Sequence, residues 1–163
     1  MVGAATIFAC YLYAALAVCA WTDLSRLIIP DIANAALLAG AVLFACISPH
    51  HTFVDAMAGG AIGVGLFLSI SITFRRLRGY DGLGFGDVKF MAGAGAWVGW
   101  QGVAPLILVA SVSALVVVAG MRVVQGGFDP RMRLPFAPFL TAATALVWSL
   151  QITQGGLWLP SLQ

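Results

Sequence analysis

Six apolar runs take up most of this chain, and every basic residue lies at or between one set of their ends. The runs extend over about Gly3 to Trp21, Asp31 to Ile47, Phe53 to Phe74, Asp87 to Gly99, Val103 to Val124 and Phe136 to Ile152. About 20 apolar residues carry a helix across a bilayer. The pattern therefore predicts an all-α membrane protein, a polytopic bundle of six transmembrane helices in one membrane-embedded domain over residues 1–163. The fourth run has 13 residues, so its helix is expected to be short, tilted or set where the bilayer thins. Charged residues make up 9% of the 163-residue chain, against about 25% in a soluble domain. Too little polar surface remains to clothe a water-soluble globule. A disordered, coiled-coil or nucleic-acid-binding chain is excluded by the same composition.

Arg26 lies between runs one and two. Arg75, Arg76, Arg78 and Lys89 lie between three and four or at the start of four, and Arg122, Arg131 and Arg133 between five and six or just before that gap. Six spans put all eight on one side, whereas merging runs four and five would scatter them. Positive charge marks the cytoplasmic face. Both termini are then expected to face outward. Trp21, Trp97, Trp100, Trp148 and Trp158 fall near predicted span ends, as interfacial tryptophans do. The first run lacks a basic segment before it and reads as a retained helix, not a cleaved signal. Small residues crowd run three (Ala58, Gly59, Gly60, Ala61, Gly63, Gly65) and run four (Ala92 to Ala96), predicting close helix contacts.

The chemistry is carried by a short set of groups. Cys10, Cys19 and Cys46 sit in apolar runs without a C-x-x-C pair, so no zinc module is expected. His50 and His51 are adjacent, on the face opposite the basic one, and no H-E-x-x-H cluster exists. Serine or cysteine nucleophile chemistry and metal-assisted hydrolysis are accordingly disfavoured, and no metal or cofactor is expected. Six aspartates remain, with no glutamate. Asp31, after Pro30, reads as a helix N-cap. Asp55 complements a helix dipole. Asp81 before Gly82 and Asp129 before Pro130 read as turn residues. Asp23 ends run one and Asp87 opens run four, so both lie at similar depth on the basic side. Two close carboxylates share a proton and can activate water while polarising a peptide carbonyl. By position alone this role competes with capping and interface anchoring. Around Asp87 the chain reads Gly82-Leu83-Gly84-Phe85-Gly86-Asp87-Val88-Lys89, where the glycines leave room for a substrate backbone.

Three blocks together resemble the type IV prepilin peptidase family, the G-x-G-D intramembrane aspartic proteases. They are Asp23-Leu24-Ser25-Arg26 with Ile29-Pro30-Asp31, Gly84-Phe85-Gly86-Asp87-Val88-Lys89 with Ala92 to Gly99, and Leu134-Pro135-Phe136-Ala137-Pro138-Phe139. In the last, Ala137 stands where the family usually has glycine. The resemblance covers about residues 21 to 140. It implies that Asp23 and Asp87 are the catalytic pair of an aspartic endopeptidase. It also implies a prepilin substrate, cut after a glycine between its basic leader and its hydrophobic helix at the cytoplasmic face of a bacterial inner membrane, with both termini in the periplasm. Gly84, Phe85, Gly86 and Lys89 are expected to contact that substrate. Lys89 would act on a carboxylate or carbonyl, or anchor in the interface. Lacking the family's N-terminal methyltransferase segment with its paired C-x-x-C motifs, the sequence resembles the short, peptidase-only form of tight-adherence (Flp-type) pilus systems. Expected partners are the prepilin and membrane lipid, not nucleic acid. Two other readings use the same residues: a small proton-coupled transporter or channel with the aspartates as relay groups, and a non-catalytic membrane assembly subunit.

Overall fold

The computed structural model describes residues 2–48, 51–79, 83–125 and 135–153. His50, Asp81, Asp129, Arg131, Arg133 and Trp158 lie outside the described residues. The architecture is all-helical: α1 (Val2–Arg26), α2 (Asp31–Ile47), α3 (Phe53–Arg78), α4 (Phe85–Gln125) and α5 (Ala137–Thr153). The segments Thr6–Arg26, Phe53–Arg78 and Phe85–Val123 are long and apolar enough to cross a membrane, while α2 and α5 are apolar helices of 17 residues. At about 1.5 Å per residue these two reach roughly 25 Å, slightly less than a hydrocarbon core.

The described residues thus form five helices where six were expected. Predicted runs four and five are joined in α4, which departs from helical dihedrals at Gly99 alone (φ 67°, ψ 172°). Only glycine adopts such a backbone without steric cost. One residue therefore makes the break, and Trp100, Gln101 and Gly102 remain helical instead of forming a loop. His51 holds the other side of this corner, its Nε2 2.8 Å from the Ala96 carbonyl oxygen.

Side-chain contacts give the helix directions. Phe8 meets Phe44 and the Tyr11 hydroxyl donates to the Ala36 carbonyl, so α1 and α2 are antiparallel. Tyr13 lies against Trp148 and Ser149 while Asp23 meets Ala137, so α5 also opposes α1. Gly59, Gly60 and Gly63 of α3 face Gly95, Ala92 and Met91 of α4 in antiparallel order. Here the small-residue pattern has its physical effect. A Cβ on Gly60 would stand 2.8 Å from the Ala92 carbonyl oxygen, so the two backbones are in direct contact. Without a hydrophobic force between helices in lipid, such packing is what joins them.

The tryptophans divide. Trp21 and Trp100 are exposed, as an interfacial role requires, but Trp97 and Trp148 are buried. These two form an edge-to-face pair in an aromatic cluster with Phe8, Tyr13 and Phe44. The Trp97 indole N–H donates to the Leu37 carbonyl oxygen at 2.9 Å. A buried indole needs a partner for this one polar group, and α2 supplies it, so Trp97 belongs to the core and not to the interface.

α3 begins with a capping box. The Thr52 hydroxyl accepts from the Asp55 N–H, and the Asp55 carboxylate accepts from the Thr52 N–H. Its C-terminus holds Arg75, Arg76 and Arg78 before Gly79, which adopts the left-handed conformation (φ 76°) that ends helices. Acidic start and basic finish both complement the helix dipole.

Candidate active site

Two carboxylates are buried in the described part of this apolar chain, Asp23 at 7% exposure and Asp87 at 8%. They come from the last turn of α1 and the first turn of α4. The helix directions bring these turns together at one end of the bundle, where Gly86, next to Asp87, packs by Ile29 of the α1–α2 turn, close enough for the Asp23 charge to bear on Asp87. Charged groups this far from water are costly unless paired or hydrogen-bonded. Two buried carboxylates near one another are therefore a feature that packing alone does not favour.

Local sequence explains how each is held. Past Asp23, the Leu27 amide closes the α1 ladder on the Asp23 carbonyl oxygen at 2.8 Å. Leu27 itself takes a positive φ of 53°, which turns the chain sharply towards Ile29-Pro30 and α2. The Asp23 Oδ2 accepts the Ala137 N–H at 3.1 Å. Ala137 opens α5, where the first amides have no partner within the helix. Pro138, next in line, has no N–H to satisfy. The helix start thus presents one free donor and a favourable dipole end to the carboxylate. This contact gives the Pro-Phe-Ala-Pro block a physical role that its residue types alone do not reveal.

Asp87 lies in the first turn of α4, which starts at Phe85, two residues before the predicted boundary. Its amide donates to the Gly84 carbonyl oxygen at 3.1 Å. A Cβ on Gly84 would approach the Asp87 Oδ2 to 3.2 Å, and one on Gly86 would make ordinary contact with Ile29 at 3.6 Å. Gly84 therefore keeps space clear beside the carboxylate, while Gly86 packs near the α1–α2 turn. Phe85 is exposed. Within the described residues no three His, Cys, Asp or Glu side chains gather as ligands for a metal ion.

Lys89 does not turn to the aspartate pair. Its Nζ donates to Asp31 Oδ1 at 2.7 Å and lies over the Phe85 ring, 5.4 Å from the centroid. Asp31 accordingly is not the N-cap expected of it. Pro30 occupies that position without a side-chain bond, and the Asp31 carboxylate reaches across to α4. The two side chains are 42% and 77% exposed, where an ion pair contributes about 1 kcal/mol at most. Lys89→Met should lower the unfolding free energy by no more than that, measured by thermal or denaturant unfolding in one detergent. A larger loss would mean that the pair is a structural strut.

The model of the type IV leader peptidase family matches residues 10–119. The leader peptidase HopD of Escherichia coli is 38% identical over 138 residues, covering 83% of this chain and 88% of its own. The prepilin leader peptidase/N-methyltransferase of Aeromonas salmonicida is 31% identical over 134 residues, 81% of this chain but 46% of its own length. That of Burkholderia pseudomallei is 40% identical over 107 residues, 61% of this chain and 33% of its own. The chain thus spans less than half the length of these two bifunctional relatives. No solved structure matches it.

Proposed function

Because this chain belongs to the type IV leader peptidase family, we propose that it is an aspartic endopeptidase which removes the leader of a type IV prepilin, with Asp23 and Asp87 as its catalytic pair. The observation that carries this reading is two buried carboxylates brought together at one end of an apolar bundle. In the reaction, the ionised member of the pair takes a proton from water as the water oxygen attacks the scissile carbonyl carbon. The protonated member hydrogen-bonds the carbonyl oxygen as it gains charge. Collapse of the tetrahedral intermediate breaks the C–N bond, and the leaving amine takes up a proton from the pair. Products are the leader's carboxylate and the mature pilin's free amine. The Ala137 N–H fixes the direction of the Asp23 carboxylate through this cycle. Gly84, Phe85 and Gly86 offer an open approach to Asp87, and Lys89 stands on the substrate side of the same turn. The substrate in this reading is an Flp-type pilin, cut after the glycine that precedes its hydrophobic helix.

The site then lies at the cytoplasmic face of the inner membrane, with six crossings in all. The directions of the helices support this count. α4 reaches its Gly99 corner at the end of the bundle remote from Asp23, whereas α5 starts beside Asp23. The chain must return between them, so the two arms of α4 count as separate crossings. A phosphatase or β-lactamase reporter fused after Gln163 should therefore report the periplasm, and the same reporter inserted after Arg78 the cytoplasm. A cytoplasmic signal from Gln163 would overturn the six-crossing arrangement. The reaction itself is tested by incubating purified protein with a prepilin and sequencing the new amino terminus. An intact substrate, or cleavage that persists without the aspartates, would overturn the proposed chemistry.

A further inference from the structure

Asn34 is a buried carboxamide on α2, one turn past Asp31, and neither its Nδ2 nor its Oδ1 has a hydrogen-bond partner among the described residues. Buried amides almost always find partners. Asn34 also lines a groove of about 370 Å³ between α2, α3 and α4, whose other walls include Leu38, Val64, Leu68, Val88 and Ala92. Phe85 and Lys89 line its end nearest the start of α4. Val88 is the chain neighbour of Asp87, and successive residues stand about 100° apart around a helix. The groove therefore runs along the flank of the very turn that carries Asp87.

We infer that this groove binds an extended, apolar segment of the substrate peptide and that the Asn34 carboxamide pairs with one of its backbone peptide groups. The inference rests on the peptidase reading above and names a specificity residue for it. A peptide unit offers one donor and one acceptor, and a carboxamide offers both in return. Only an unwound segment has these groups free, because a helix bonds them internally. The apolar walls suit apolar side chains, and a lipid acyl chain would leave the carboxamide as unpaired as before. Both amide atoms are buried in the unliganded protein, so in this proposal the side chain turns about χ1 and χ2 to meet the entering peptide.

The distinguishing variant is Asn34→Leu, which removes the polar atoms and keeps the approximate volume. Prepilin cleavage by the purified protein should show KM raised at least about tenfold, with kcat within about threefold of wild type, the pattern of lost uniform binding. A tenfold change corresponds to about 1.4 kcal/mol. Thermal stability should be unchanged or higher, because an unpaired buried amide has been replaced by an apolar group. Binding of uncleaved prepilin peptide to Asp87→Asn protein, with and without Asn34→Leu, should weaken by the same factor. Unchanged KM and Kd would overturn the inference and leave the groove to lipid. A lower melting temperature with loss of kcat would overturn it in favour of a purely structural asparagine. If the wild type cleaves in an Asp87-dependent manner and Asn34→Leu is indistinguishable from it, the inference alone falls. A wild type that neither binds nor cleaves prepilin overturns both.

Discussion

Asp23→Asn and Asp87→Asn should each slow prepilin cleavage by at least about 10²–10⁴-fold, the range general acid–base groups contribute. Asparagine keeps the shape of the side chain and removes its capacity to ionise. In Asp23→Asn the amide oxygen still accepts the Ala137 N–H, so the start of α5 and its packing on α1 should persist. Loss of activity would then belong to the chemistry and not to the fold. Either substitution also replaces a buried ionisable group by a neutral one of the same shape, so the variants should be no less stable than the parent. Cleavage rates at matched membrane expression, together with thermal unfolding in one detergent, separate the two effects. Asp55→Asn is the control. Its carboxylate serves the capping box at the other end of α3, and cleavage should stay near the wild-type rate. Near-normal activity in either dyad variant would reject the aspartic mechanism.

The largest structural effect is expected at the crossing of α3 and α4. Gly95→Leu would drive a Cβ into the carbonyl oxygen of Gly59, with the Gly60 Cα only 3.2 Å away. Backbone cannot turn aside as a side chain can, so the helices must separate. Overpacking of a well-packed core costs about 1–3 kcal/mol, and the upper end applies where both contacting groups are main chain. Separation would also move α4, and with it Asp87, relative to Asp23. A displacement of about 1 Å in a catalytic group can cost on the order of 100-fold in rate. The variant should melt at a lower temperature and lose cleavage together. Gly65→Ala provides the contrast, since no atom lies within 4 Å of the added Cβ. It should leave cleavage unchanged and stability unchanged or slightly raised, since alanine favours helix over glycine, and a loss there equal to that of Gly95→Leu would show that the close crossing is not the cause.

Much of this molecule follows from the chain read in order. Apolar runs in a bilayer have no alternative to helix, because every backbone group must be satisfied within the segment. The starts of α2 and α3 follow from Pro30 and Thr52, and the end of α3 from Gly79, all of them local in cause. Asp23 and Asp87 are conspicuous because an apolar chain tolerates few buried charges. The small residues of runs three and four announce close packing for the same reason of local shape.

What the tertiary structure decides are pairings between distant positions and the environments that follow from them. Trp97 has the sequence context of an interfacial tryptophan. It is buried because the Leu37 carbonyl, 60 positions away, is placed to accept its N–H. Asp31 has the context of an N-cap, yet its carboxylate goes to Lys89, 58 positions on, once α2 and α4 lie side by side. Ala137 and Asp23 meet across 114 positions only because α5 runs back against α1. Asn34 is one polar residue in an apolar run, and its burial without a partner among the described residues exists only in the assembled bundle. Local shape and hydropathy act over a few residues and are written along the chain. A hydrogen bond between helices depends on where packing leaves two faces, and that is a property of the whole bundle.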